Sequence, residues 1–186
     1  MSHNNKASCK DEVFSEEKVR TTATELIRSY AKTWLLLNAF DENRLSYPQN
    51  AINHEVRFTE EIAIQGISEL KSSLMAQNEA TPLFGAERQD AFKQIIGSIH
   101  QTFGGKILYP SVYERAAHLF YFTIKDHPFT DGNKRIGSFL LLLYLSSYGV
   151  DINLSNETLV ALALLVAQSQ ALDKEIMIKL ILNLIV

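Results

Sequence analysis

The sequence predicts an all-α fold interrupted by one short β-hairpin. Apolar residues recur at three- and four-residue steps through most of the chain, and serine and glycine residues stand where such runs begin and end. These are the marks of capped amphipathic helices. A Gly104-Gly105 pair between short apolar segments is the exception, and it signals a tight hairpin turn. At 186 residues the chain is long enough for one domain with a full core and too short for two.

Residues 1–14 are polar, mixed in charge and without periodicity, so a disordered tail is expected there. Ser15 can cap a long amphipathic helix over about 15–40, in which Val19, Ala23, Leu26, Ile27, Tyr30, Trp34 and Leu37 share one face. That face is read as packing on the core. Asp41 to Pro48 has the residue types of a loop, and Val56-Arg57-Phe58-Thr59 is read as a short strand. Helices are expected over Ile67–Gln77 and Arg88–Ile99, joined by a connection that holds Pro82 and Gly85.

After the hairpin, Ser111 and Glu114 form a capping box that opens a helix running to about Lys125. The run Ile136 to Tyr148 is apolar on nearly all sides and predicts a central buried helix, ended by Gly149. Ser155 caps the next helix, through Leu159, Leu162, Leu165 and Val166. Asp173 starts the last, with Ile176, Met177, Leu180, Ile181 and Leu184 facing inward. No repeat or composition break marks a second domain, so residues 15–186 read as one, with its core over about 51–186.

Composition excludes several functions. A net charge of −3 gives no general attraction to nucleic acid or an anionic membrane, so any phosphate binding must be local. Cys9 is the only cysteine, which rules out a disulfide framework and a cysteine zinc cluster and suits a reducing cytoplasm. Ile136 to Tyr148 falls short of the ~20 apolar residues a bilayer span requires, and the N-terminus lacks an apolar signal region. Neither nucleic acid nor a membrane is expected as a partner.

The chemistry concentrates in His127-Pro128-Phe129-Thr130-Asp131-Gly132-Asn133-Lys134-Arg135, between two helical patterns. Pro128 should stop the upstream helix at His127 and turn its imidazole into a loop, where it can take a proton at neutral pH. Asp131 is a hard oxygen ligand of the kind that holds Mg²⁺. Gly132 permits a tight turn and a close ligand. A helix beginning near Asn133 would aim free backbone N–H groups at that ligand, reinforced by Lys134 and Arg135. Phe129, alone among polar neighbours, reads as the anchor of the loop.

This stretch resembles the signature of the Fic/Doc (Fido) family, His-x-Phe-x-[Asp/Glu]-[Gly/Ala]-Asn-[Gly/Lys]-Arg. The likeness continues through Phe103-Gly104-Gly105-Lys106-Ile107-Leu108-Tyr109-Pro110 and Ala116-Ala117-His118-Leu119, which resemble the flap and pre-motif helix of the death-on-curing branch. The resemblance implies a compact helical bundle that transfers a phosphate-containing group from ATP, with Mg²⁺, to a hydroxyl of a target protein. It makes His127 the base, Asp131 the Mg²⁺ ligand, and Gly132, Asn133, Lys134 and Arg135 the phosphate site. Phe103, Gly104 and Gly105 become the flap that docks the target.

Lys134 stands where adenylylating members usually carry glycine, and Ser138 where many carry a second arginine. Lys134 instead matches the Doc-like branch, which passes on the γ-phosphate. The expectation is therefore phosphotransfer to Ser or Thr, with a translation factor as one target and a toxin–antitoxin pair as one setting. AMP transfer and a non-catalytic nucleotide- or partner-binding module are the alternatives. Family members are often silenced by a helix bearing [Ser/Thr]-x-x-x-Glu-[Gly/Asn]; the nearest segment is Asn38-Ala39-Phe40-Asp41-Glu42-Asn43, and a separate antitoxin is the other source of restraint. Of the remaining histidines, His3 lies in the tail, His54 in a polar stretch, His100 beside the flap and His118 on the pre-motif helix. Their spacing fits no zinc site.

Overall fold

The computed structural model describes residues 16–48 and 56–186. The expected tail, the Ser15 cap, Cys9, His3 and His54 lie outside the described residues. The chain divides into two compact units, Met1–Arg44 and Leu45–Val186.

In the first unit the single helix expected over about 15–40 is two, α1 (Glu16–Ser29) and α2 (Ala31–Asp41). The break is at Tyr30, whose ψ of 17° departs from helical geometry. No glycine or proline marks it, so apolar periodicity runs straight through. Leu26, Ile27, Tyr30, Trp34 and Leu37 are exposed.

The second unit holds α3 (Glu60–Ala76), α4 (Ala91–Ile99), β1 (Thr102–Phe103), β2 (Lys106–Ile107), α5 (Val112–Lys125) and α6 (Asn133–Ser147). They are followed by α7 (Asn156–Gln168), a 3-10 turn over Ala171–Asp173 and α8 (Lys174–Ile185). The fold is helical with one two-stranded antiparallel hairpin, as the sequence predicts. Helix α5 lies at the centre and packs against α4, α6, α7 and α8. Its start carries both bonds of the capping box: Glu114 N donates to Ser111 Oγ at 3.0 Å, and Ser111 N to Glu114 Oε2 at 2.9 Å. Gly137 of α6 lets the two central helices approach closely, since a Cβ there would stand 2.9 Å from Ile124 Cγ1.

Several boundaries differ from expectation. Residues 56–59 form no strand; Phe58 is instead buried against Tyr144, with ring centroids 4.8 Å apart, and Thr59 caps an α3 that starts well before Ile67. A cap followed by Glu60 and Glu61 is a start signal that the mixed apolar pattern obscured. Helix α4 begins at Ala91 because Gln89 and Asp90 are left-handed, and the Glu87 carboxylate accepts from Phe92 N and Lys93 N in place of a local cap. In α8, Met177 and Ile181 face inward as expected, but Ile178, Leu182 and Ile185 complete the buried face rather than Ile176, Leu180 and Leu184. Helix α6 ends in a Schellman pattern, with Val150 N donating to Leu145 O and Gly149 N to Ser146 O. No described helix is long and apolar enough to cross a membrane.

Candidate active site

Helix α5 ends at Lys125, and the chain turns at His127, which takes a left-handed φ of 50°. Pro128 favours extended backbone before it; histidine is among the side chains that tolerate the left-handed alternative. The segment 84–88 runs beside the loop and ties it down. Arg88 N donates to Pro128 O and Thr130 N to Ala86 O, both at 2.8 Å, and Gly85 N donates to Asp131 O at 3.1 Å.

Phe129 is buried and packs on Phe92, the ring centroids 5.1 Å apart, so it is the anchor its neighbours suggested. Asn133 is buried beside it. Its amide oxygen accepts from Phe129 N at 2.9 Å and its amide nitrogen donates to Phe129 O at 2.8 Å. Asn133 therefore acts on the loop that carries the site, closing it into a rigid turn.

Gly132 precedes α6 with φ 88°, and no side chain caps the helix. The first N–H groups of α6 are thus left free of intrahelical partners, at the positive end of its dipole. They face a cleft of about 330 Å³ lined by His127, Thr130, Asp131, Gly132, Asn133, Lys134 and Arg135. Six residues singled out in the sequence meet there. Phe103, Gly104 and Gly105 do not line this cleft; they form the hairpin turn, with φ of 57° and 77° at the two glycines and Phe103 84 % exposed.

Asp131 and Arg135 are both half-exposed. Their carboxylate and guanidinium stand 3.7 Å apart, and the Thr81 hydroxyl lies 3.5 Å from the other carboxylate oxygen. Arg135 Nη1 donates to Glu79 O at 2.6 Å, and the guanidinium lies over the Phe84 ring at 4.7 Å. Little in the sequence alone marks Glu79, Thr81 and Phe84 as neighbours of the motif. The connection that holds them carries a loop signal only, and the one hint is a large apolar residue set immediately before Gly85.

The other described histidines serve the interior. His118 is buried, stacks on Tyr109 with centroids 3.7 Å apart, and donates from Nδ1 to Glu114 O at 2.8 Å; burial pushes its pKa down to about 4. His100 bonds Ile96 O and the Tyr144 hydroxyl, and burial lowers its pKa too. Neither lines the cleft.

Among the described residues no group of three or more His, Cys, Asp or Glu could hold a metal. The lone half-exposed carboxylate of Asp131 fits Mg²⁺, which takes one or two carboxylates and fills its shell with phosphate oxygens and water.

A loop anchored by a buried Phe and Asn, ending in a glycine turn that opens a helix under His, Asp, Lys and Arg, is matched by the Fic/DOC family over residues 54–145. The chain belongs to the Fic/DOC family through this segment. No curated protein and no solved structure matches it. Fic/DOC proteins are typically nucleotide-dependent transferases. The matched segment runs from before α3 to the end of the buried part of α6, so it contains the cleft, the hairpin and the 84–88 support.

Proposed function

We propose that this Fic/DOC protein is a Doc-like phosphotransferase that moves the γ-phosphoryl group of ATP to a Ser or Thr hydroxyl of a target protein. The observation that carries the reading is Lys134, exposed in the first turn of α6 and lining the same cleft as His127, Asp131 and Arg135. A lysine at that position adds a compact cation where a terminal phosphate would lie, whereas glycine would leave bare backbone for a diphosphate.

The step balances as follows. The target hydroxyl oxygen forms a bond to the γ-phosphorus while the bond from that phosphorus to the β–γ bridging oxygen breaks, and ADP leaves with the electron pair. The hydroxyl proton passes to the His127 imidazole and from there to solvent. Lys134, Arg135 and the free N–H groups of α6 hold the phosphate oxygens and offset their charge. Asp131 would hold Mg²⁺, which when bound neutralises charge on the β- and γ-oxygens. The flap around Gly104-Gly105 would align the target segment by strand-like pairing. A translation factor as target, and an antitoxin as restraint, follow from the Doc-like resemblance alone.

The test uses purified protein, Mg²⁺ and ATP labelled at the α or the γ phosphate, incubated with a lysate. Label from the γ position on a protein band supports the proposal. Label from the α position alone replaces it with AMP transfer, and label from neither replaces it with a binding module.

A further inference from the structure

Arginine side chains at a helix N-terminus normally sample many rotamers, and ordering one costs conformational entropy. Arg135 is half-exposed, yet it is held from three directions: by the Glu79 carbonyl, by the Asp131 carboxylate and by the face of the Phe84 ring. The backbone that carries Phe84 is itself tied down. Phe84 is fully buried, its N–H donates to Thr81 O at 3.0 Å, and the next residue's N–H is bonded to Asp131 O. The same ring lies directly beneath the turn, for a Cβ on Gly132 would stand 2.3 Å from Phe84 Cε2.

We infer that Phe84 is a positioning residue of the phosphate site: its ring face, together with the Glu79 carbonyl, pre-sets the Arg135 guanidinium so that its free N–H edge meets a nucleotide phosphate. A guanidinium held over a ring face keeps N–H donors available at its edge, and a planar fork already oriented loses less freedom when it takes a phosphate in bidentate fashion. Thr81 does the corresponding work for Asp131, contacting one carboxylate oxygen and leaving the carboxylate turned to the cleft. The α3–α4 connection thus acts on Asp131 and Arg135 from outside the motif. The inference rests on Arg135 being a phosphate ligand, and holds whether the group transferred is phosphoryl or AMP.

A purely structural Phe84 and a positioning one differ in a measurable way. A pentafluorinated phenylalanine at position 84 keeps the shape and reverses the charge distribution of the ring, so the fold is retained while attraction for Arg135 becomes repulsion. Mg·ATP dissociation constants from calorimetry are compared for the wild type, this variant, Arg135→Gln and the two combined. The expected result is affinity weakened about threefold to tenfold by the fluorinated ring, with Tm held, and little further loss in the Arg135→Gln background. Unchanged affinity, or an equal loss in both backgrounds, would overturn the inference. Phe84→Leu is a second probe, expected to raise the KM for ATP more than it lowers kcat. Failure of the wild type to bind Mg·ATP at all would instead remove the phosphate reading on which this one stands.

Discussion

Arg115 Nε donates to the Tyr144 hydroxyl at 2.9 Å in the interior of the Leu45–Val186 unit, where the arginine is 2 % exposed and the tyrosine fully buried. The hydroxyl also lies 3.2 Å from His100 Nε2, and Arg115 Nη1 donates to Tyr109 O at 3.2 Å. His100 precedes the hairpin and Tyr109 follows it, so both roots of the hairpin stand on this pair. Burial raises the Tyr144 pKa and lowers that of His100, which keeps both neutral. One direction then satisfies the chain: Arg115 donates to Tyr144, Tyr144 to His100 Nε2, and His100 Nδ1 to Ile96 O at 3.1 Å.

Tyr144→Phe removes the middle of that chain and leaves a buried guanidinium N–H without its acceptor. The expected cost is about 1–3 kcal/mol in urea unfolding. Combining it with Arg115→Met should cost less than the two single changes added together, because the orphaned charge is gone. Amide exchange at Leu108, whose N–H closes the hairpin onto Gln101 O, should quicken in Tyr144→Phe. A loss below about 0.5 kcal/mol would show that the pair does not support the hairpin.

The buried His118 gives the fold a pH dependence whose sign follows from its pKa of about 4. The unfolded imidazole titrates near 6.5, so between these values the unfolded chain holds the extra proton and stability falls as pH drops. Above 6.5 both states are neutral and the full contribution is present. The drop from this group is about 2–3 kcal/mol. His118→Phe, which keeps the ring against Tyr109, should flatten the unfolding free energy between pH 6.5 and 4; an unchanged slope would place the titration elsewhere.

Much of this was legible in the sequence because it is written in local chemistry. The Ser111–Glu114 capping box, the glycine pair at the hairpin and the Schellman end of α6 each depend on residues a few positions apart. The motif cleft was legible for the same reason, since one turn and one helix start bring His127 and Asp131 to Arg135 together. What escaped depends on contacts distant in sequence. Phe84 reaches Gly132 and Arg135, and Glu79 reaches Arg135, only once the α3–α4 connection is laid against the loop. The two bonds by which the Asn133 amide grips Phe129, four residues back, are likewise invisible until the loop is closed. The break at Tyr30 left no trace because helix-forming residues flank it on both sides.

Lys134 is exposed in the first turn of α6 and forms no hydrogen bond or ion pair among the described residues. Lys134→Ala should therefore leave Tm unchanged while lowering kcat/KM for transfer by about 100-fold, the scale of one lost cation on a transferring phosphoryl group. His118→Phe, which lies outside the cleft, should retain transfer at pH 7. Equal losses in the two variants would mean that the phosphate group sits elsewhere.

Gly132→Ala tests the turn and the ring beneath it together. The glycine has φ 88°, a conformation that costs an L-residue about 1–2 kcal/mol. Its new methyl would also stand 2.3 Å from Phe84 Cε2 of a fully buried ring, so the ring or the turn must shift. Overpacking of this kind adds about 1–3 kcal/mol. The single variant should be destabilised by about 2–5 kcal/mol in urea and should bind Mg·ATP poorly, since any shift of Phe84 moves Arg135. Phe84→Leu in the same chain opens space for the methyl but leaves the backbone strain. The double variant should recover part of the lost stability and none of the lost Mg·ATP affinity. Recovery of both would mean that the ring matters here for its volume alone.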